Sequence, residues 1–586
     1  MRVPTSVAVT VLAAALAAPA FAAPLGVVSV HPSRQRIDVP ANGAIQIEFN
    51  AFVDAATVNA TAVRVFGRWS GPATGTIEVY ENTITFQPSD PFFAGEYVTV
   101  SLSRSIKNTL GEAMSHGYAW SFWIKSGEGT LALDYLTRYD VRQAAEGWVQ
   151  PYGAYAGDLN HDGWSDLFVP CERTDDVRVF MNNGAGLYPG GFAVKKPLGL
   201  NTPSPNEGGD FDNDGDIDVV VTSVESDQIV VMFGDGTGAF PTTASLPAGA
   251  TQQRGVGVLD LNGDGWDDIV SACRLASRVS MFLNNGDGTF APRVDLDVAV
   301  ASETSIAVAD ANNDGILDVF LGNYTSPCRV VVLLGNGNGG LVAQTPVATS
   351  GQPWMLVAGD FNGDGNVDVC SANSGGDGVG IHFGNGTGGI SAVTTKAVGT
   401  FPLAVDTGDI DGDGDLDLVS SDYGSGTWTI WENNGTGTFV NPHTLFASSA
   451  GSCATLHDRD NDGDLDLTGL DEVDDWVYLF VNNPPASSVT TPPVESITMS
   501  QNRPNPFNPS TTIHFELARG GLVNLSIYDA SGALVATIVD GNVDAGPHDV
   551  RWNGTDARDQ RLASGVYFYR LTAHGTERTR KMMLLK

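Results

Sequence analysis

Basic residues are scarce in this 586-residue chain: 31 Lys and Arg stand against 68 Asp and Glu, a formal charge of −37. A surface of that sign repels nucleic acid and anionic membranes. Cysteine is scarcer still. Cys171, Cys273, Cys328, Cys370 and Cys453 form an odd set without CxxC spacing, which argues against a zinc cluster or a disulfide framework. Cys171 and Cys273 occupy equivalent places in a repeated pattern, and buried free thiols are expected. The nine His are scattered, and no HExxH, nucleophile elbow or phosphate-cradling glycine loop is present. No catalytic or cofactor-cradling residue is therefore assigned. Long apolar runs are missing too. The stretch Val7 to Ala18 is too short to span a bilayer. With Arg2 before it and the small-x-small end Ala20-Phe21-Ala22 after it, it reads as a signal peptide over residues 1–23. Export to the cell surface or beyond is the expectation.

What the chain does have is glycine (69 residues) with few charged residues (17%), the balance of a turn-rich β protein. It also has one nine-residue stretch seven times over. Oxygen side chains stand at positions 1, 3, 5 and 9, glycine at position 6, and the position-7 carbonyl points into the same turn. A hard cation such as Ca²⁺ takes 6–8 oxygens at 2.3–2.6 Å, which these groups and water can supply. The expected ligand sets are Asp158, Asn160, Asp162, Trp164, Asp166; Asp210, Asp212, Asp214, Asp216, Asp218; Asp260, Asn262, Asp264, Trp266, Asp268; and Asp310, Asn312, Asp314, Ile316, Asp318. The remaining three are Asp360, Asn362, Asp364, Asn366, Asp368; Asp409, Asp411, Asp413, Asp415, Asp417; and Asp458, Asp460, Asp462, Asp464, Asp466. In each set the fourth residue contributes its backbone carbonyl. Up to seven structural Ca²⁺ follow. Asn at position 3 lowers the charge of four loops, which are expected to bind more weakly. An EF-hand is ruled out because position 12 lacks its bidentate Glu. A metal-free Asp-Gly turn fits one loop but hardly seven alike.

Successive loops begin 52, 50, 50, 50, 49 and 49 residues apart. Within each period four short strands, A to D, alternate with turns, as in Val219-Val220-Val221 and Ile229-Val230-Val231-Met232-Phe233. Such a unit is one propeller blade, and the fold expected is all-β: a seven-bladed propeller over 127–483 flanked by two Ig-like sandwiches. The seventh repeat runs out after Trp476–Phe480, where Pro484-Pro485 replaces strand D. The apolar stretch Leu131–Tyr135 stands ahead of the first loop, and residues near 130–140 are expected to close that last blade. Period-2 runs at Ile45-Gln46-Ile47-Glu48-Phe49, Thr83–Phe86, Tyr97–Val100 and Tyr118–Phe122 make 24–126 one sandwich. A Pro/Ser/Thr linker over 484–497 leads to the other, over 498–586.

The loops, turns and period resemble the FG-GAP/VCBS repeats, calcium-loop propellers that include integrin alpha-chain heads. Residues 24–126 resemble the bacterial Ig-like domains of S-layer-type proteins, which implies a spacer or interaction module. The PNPFNP run from Pro504, Ile527-Tyr528-Asp529, and Ser564-Gly565-Val566-Tyr567 before a basic tail resemble FlgD-like Ig and type IX secretion sorting domains. Arg503 departs from that pattern, where an aromatic residue is usual. The resemblance implies the secretion machinery as a partner. Strand parity puts the metal loops and C–D turns at one end of every blade. The opposite end gathers Arg173, Arg254, Arg274, Tyr324, Trp354 and Tyr423, with Trp428 beside it. Arg and aromatic anchors are typical of interfaces. The function expected is non-catalytic binding of a glycan or protein at that face. The alternatives are a propeller polysaccharide hydrolase or lyase and a structural envelope component.

Overall fold

The computed structural model describes residues 23–143, 145–298, 300, 302–482, 497–499, 501–517, 521–529, 532–543, 546–558, 560–573 and 576–585. The expected signal peptide, except residue 23, and the expected linker, except residue 497, lie outside them. No helix is long and apolar enough to cross a membrane among the described residues.

The chain divides into two compact units, 1–485 and 486–586. In the first, two four-stranded sheets form a sandwich: Val27–His31, Ile45–Phe49, Thr83–Pro88 and Gly75–Tyr80 in one, and Gly71–Pro72, Val63–Gly67, Tyr97–Leu102 and Tyr118–Trp123 in the other. Alternation decides which side chains face inward. Ile45, Ile47 and Phe49 are buried while Gln46 and Glu48 are exposed, and the buried set packs on Val65, Val98, Val100 and Trp120. Each turn of alternation thus moves apolar surface out of water at about 25 cal/mol per Å².

Seven further antiparallel sheets follow among the described residues; in six of them strands A, B, C and D succeed one another along the chain, with a bulge between A and B in most. Strand B is buried along its whole length in every repeat, as at Asp218–Ser223 and Asp417–Asp422, because a neighbouring sheet covers each face. The A strands touch their successors in turn, and Gly451–His457 meets Tyr155–Gly157, so the ring closes. In the seventh sheet the outer strand is Asp134–Asp140, paired antiparallel with Trp476–Val481.

The Ig-like sandwich rests on the metal-loop end of this ring. Its backbone bonds to loop backbone, Arg104 N to Gly263 O (2.8 Å) and Ala119 N to Gly315 O (2.6 Å), and the segment that follows it continues the pattern, Gly129 N to Asp411 O (3.1 Å) and Gly127 N to Gly463 O (2.5 Å). Ser103 Oγ donates to Asp264 O (3.0 Å) and Ser126 Oγ to Asp409 O (2.6 Å). A Cβ at Gly263 would fall inside the backbone of Gly117, so glycine there serves the docking as well as the turn. A spacer hung on a tether would lack these bonds, so the spacer expectation gives way to an integral cap.

The second unit is a separate sandwich of three strands (Ile497–Met499, Thr511–Leu517, Gly546–Trp552) against four (Leu534–Val543, Gly521–Asp529, Gly565–Ala573, Thr576–Leu584). Its core gathers Phe507, Ile513, Phe515, Leu525, Ile527, Trp552, Tyr569, Leu571 and Met582. The first strand opens at Ile497, one residue inside the expected linker.

Candidate metal centres and binding face

Each acidic loop is wound by its own side chains. In the first, Asp158 accepts from the backbone N–H of Asp162 (3.0 Å) and Gly163 (2.9 Å), and Asn160 Oδ1 accepts from Asp162 N (2.9 Å). The turn needs two left-handed residues, position 6 and also position 4. Position 6 is always glycine, with φ of 80° at Gly163 and 95° at Gly414. Position 4 is Gly, Asn or His (φ 58° at His161, 56° at Asn213), the residue types that tolerate this region. Position 9 latches the loop. Asp218 accepts from Phe211 N (2.8 Å) through one oxygen and from Gly234 N (2.8 Å), at the end of strand C, through the other. The same pair of bonds recurs at Asp268, Asp318, Asp368 and Asp417.

Position 3 divides the loops into two kinds. In three of the four loops where it is Asn, the side chain turns back on position 5: Asn160, Asn312 and Asn362 donate to Asp162 (3.0 Å), Asp314 (2.9 Å) and Asp364 (3.2 Å). Where it is Asp, carboxylates converge with nothing between them. Oxygens of Asp210, Asp212 and Asp218, of Asp409, Asp411 and Asp417, and of Asp458, Asp460 and Asp462 each lie within 4.8 Å of one another. Buried oxygens of Asp210, Asp212, Asp409, Asp415, Asp458, Asp460 and Asp464 have no partner among the described residues. A buried acceptor without a donor is costly, and like charges this close favour protonation. Burial first, and neighbouring carboxylates with it, push Asp409 to about 6, Asp415 to about 7, Asp458 to about 7 and Asp464 and Asp417 to about 9. A divalent cation would satisfy these oxygens and reverse those shifts, so three loops fit the ion that the spacing called for. Sequence reasoning gave Asp415 and Asp464 only a carbonyl role. Each carries a buried carboxylate oxygen with no hydrogen-bond partner among the described residues, which an Asp at position 7 could have signalled.

Arginines compete at two of the three. Arg64 of the Ig-like domain grips Asp267 (2.9 and 3.0 Å) and lies 3.9 Å from Asp210. In the last loop the buried Arg459 sits 2.9 Å from Asp466 and 3.8 Å from Asp460. The loop of Asp409 has no such cation among the described residues.

At the opposite end four of the residues singled out by parity form a lattice, two pack on neighbours nearby, and one does not belong there. Arg274 lies over Tyr324 (4.0 Å to the ring centre), Tyr324 meets Trp354 edge-on (5.4 Å), and Arg254 lies over Trp354 (5.3 Å). Arg173 covers Trp148 (4.6 Å), and Phe401 packs on Tyr423 (6.1 Å). Trp148 (44% exposed), Phe401 (40%) and Leu275 (69%) face solvent there and were not foreseen, because single apolar residues in turns carry no pattern. The residue that does not belong is Trp428. It is fully buried, packed on Tyr478 and Phe480, with its Nε1 donating to Cys453 O (3.1 Å). It belongs to the core. All five cysteines are free, and only Cys328 is not fully buried.

Beside the lattice stand Glu172 and Glu472, each with a buried oxygen lacking a partner among the described residues. Burial pushes both to about 7; Arg254, 3.8 Å from Glu172, opposes this only in part. Between the A strands the channel holds a cavity of about 250 Å³ against the Ig-like domain and one of about 120 Å³ toward the Arg-aromatic end. Arg68 of the cap reaches in and pairs with Asp406 (2.9 Å), and Tyr155 Oη donates to Arg68 O (2.7 Å).

Family profiles match three parts of the chain: a bacterial Ig-like domain at 22–123, FG-GAP-like repeats at 210–271, 260–321, 310–371, 360–420 and 409–469, and a FlgD Ig-like domain at 508–577. No curated protein matches significantly. Among solved structures, BBS1N in complex with ARL6DN is 13% identical at a TM-score of 0.44, over 61% of this chain and 98% of that one. PorZ, described as a surface component of the type-IX secretion system of Porphyromonas gingivalis, is 12% identical at 0.35, over 96% and 75%. A functionally unknown protein of Desulfotomaculum acetoxidans is 13% identical at 0.32, over 64% and 96%. The chain is thus an assembly of a bacterial Ig-like domain, FG-GAP-like repeats and a FlgD Ig-like domain.

Proposed function

We propose that this is an exported, calcium-stabilised surface or secreted protein that binds a glycan or protein ligand, without catalysis, through the propeller end opposite the metal loops. The observation that carries this reading is the division of labour between the two ends. The Ig-like domain occupies the loop end. The other end presents stacked Arg and aromatic side chains with Trp148, Phe401 and Leu275 in solvent, the chemistry of an interface. Ca²⁺ serves structure, filling the three Asp-rich loops first and the four Asn loops at higher concentration. The FlgD-like domain addresses the chain to the secretion machinery. The test is a glycan array and a panel of surface proteins probed with the full chain and with the double variant Arg274→Ala, Tyr324→Ala. Binding that falls at least tenfold in the variant supports the reading; no binding, or binding indifferent to it, refutes it.

Glu172 and Glu472 favour a second reading. Two carboxyls held near 7 beside one another can divide acid and base duties, so a polysaccharide hydrolase or lyase is the alternative. Release of new chain ends from a polysaccharide, abolished in Glu172→Gln, would establish it.

A further inference from the structure

The central channel has one wall of apolar side chains and one free charge. The A strands of the third, fourth and fifth sheets, Gln253–Leu259, Glu303–Ala309 and Pro353–Gly359, bring Val256, Ile306 and Met355 to both cavities. Val258, Val308 and Val357 continue that wall toward the cap. Met355 is 39% exposed although it stands inside the ring, so its thioether lies open to whatever fills the channel. An unbranched, polarisable side chain of this kind moulds itself to an apolar ligand.

Glu207, on the A strand of the second sheet, lines the same two cavities. Protein surrounds it, yet it is exposed to the channel, and it makes no hydrogen bond or ion pair among the described residues. The neighbouring charges are spent. Asp406 accepts from Arg68 (2.9 Å) and from the backbone N–H of Leu456 (3.0 Å). Arg254, at the mouth, faces Glu172 (3.8 Å) and lies over Trp354. The channel therefore holds one uncompensated, accessible carboxyl beside an apolar wall.

That pairing restricts the ligand. A divalent metal ion wants 6–8 oxygens, which one carboxyl does not supply. An anion would meet Glu207, with Arg68 already engaged. An organic ammonium suits both features: its N–H groups donate to the carboxyl, and its apolar body covers the wall. An apolar cavity of about 150 Å³ takes benzene, so the larger cavity, about 250 Å³, has room for a body of roughly ten heavy atoms. The cap closes the far end through Arg68. At the near end Trp354 Nε1 donates to Tyr152 Oη, joining the fifth sheet to the segment that leads into the first, so a ligand enters past that bond.

We infer that the channel binds a small primary amine carried on an apolar body, its ammonium at Glu207 and its body on Val256, Ile306 and Met355. The inference is separate from the ligand of the outer face and stands or falls without it.

The experiment titrates the full chain in Ca²⁺ with hexylamine and with 2-phenylethylamine by calorimetry. Hexanol, hexanoate and methylammonium are the controls. At least one of the two amines should bind once per chain, at least tenfold tighter than hexanol and hexanoate, which lack the cation, and than methylammonium, which lacks the body. Glu207→Gln should weaken that amine about tenfold and abolish its advantage over hexanol. Met355→Gln should weaken the amine while leaving methylammonium as it was. Both side chains face the channel rather than the core, so the fold tolerates either change. No amine binding, so that water alone fills the channel, overturns the inference. Binding that survives both variants does so too, as does methylammonium bound as tightly as hexylamine, since an acidic surface attracts any cation.

Discussion

Asp411 and Asn362 hold the same place in the winding of their loops, yet one leaves a hole in the electrostatics and the other fills it. Asn362 donates to Asp364, whereas Asp411 adds a third carboxylate to Asp409 and Asp417. Asp411→Asn should therefore cost one tight Ca²⁺ site while Asn362→Ala leaves the count of tight sites unchanged, as equilibrium dialysis with ⁴⁵Ca would read. The same carboxyls fix the pH response of the metal-free chain. Asp417 (about 9), Asp218 (about 8), Asp458 (about 7) and Glu207 (about 7) are raised above their ordinary values by burial. A raised carboxyl pKa gives stability that is full below the unfolded pKa near 4 and is lost as pH rises through the folded one. Metal-free protein should thus melt at a lower temperature at pH 8 than at pH 5.5. His457, held near 3 by burial, works the other way: its share is present above about 6.5 and lost below it. Calorimetry across that range with and without Ca²⁺ reads both. A metal-free Tm that climbs between pH 5.5 and 8 would contradict the burial of unpaired carboxyls. The convergence of carboxylates in the loops of Asp210, Asp409 and Asp458 was legible because the spacing repeats. The cap's Arg64 was not, since Asp267 and Asp210 meet it through tertiary contact, whereas Arg459 pairs with Asp460 and Asp466 of its own loop.

Among the elements, strands B and C announce themselves as apolar runs because they are covered on both faces. Strand A does not: Pro203–Gly209 reads Pro-Ser-Pro-Asn-Glu-Gly-Gly, with small and polar residues lining a narrow channel. Its place could be inferred only from the period. The outer strand Asp134–Asp140 is half exposed, and its register with Trp476–Val481 is what completes the seventh sheet. Without it, the Trp476–Val481 edge presents unpaired backbone groups, a template for aggregation. A chain beginning at Lys125 should melt well above one beginning at Gly153, and the shorter one should aggregate. The shorter chain also loses Ser126, Gly127 and Gly129, which bond to the loops, and the buried Val141 and Val149, so the comparison tests the whole 125–152 segment, and equal melting temperatures would show that it contributes nothing.

For the molecule as a whole, the cap and the metal loops are parts of one structure. Among the described residues, hydrogen bonds join the Ig-like domain to five of the seven loops, and Gly127 just after it to a sixth, that of Asp458. None of this was legible in the sequence, because the bonds run to loop carbonyls and to glycines whose role is close approach. A loop that loosens when its ion leaves should loosen the cap with it. Chelation should speed hydrogen exchange at Arg104, Ala119 and Gly127 while the FlgD-like domain is unaffected; protection unchanged at those amides would separate the two. Ligand at one hundred times its dissociation constant adds about 2.7 kcal/mol per site, so three filled sites would raise Tm by about 8 °C in a unit of this size.

The most direct test of the account counts the ions. Native mass spectrometry of the full chain at low micromolar free Ca²⁺ should show three bound, falling to two in each of Asp212→Asn, Asp411→Asn and Asp460→Asn, with further ions only at higher concentration. A chain that binds no Ca²⁺, or that fills seven loops with equal affinity, would contradict it.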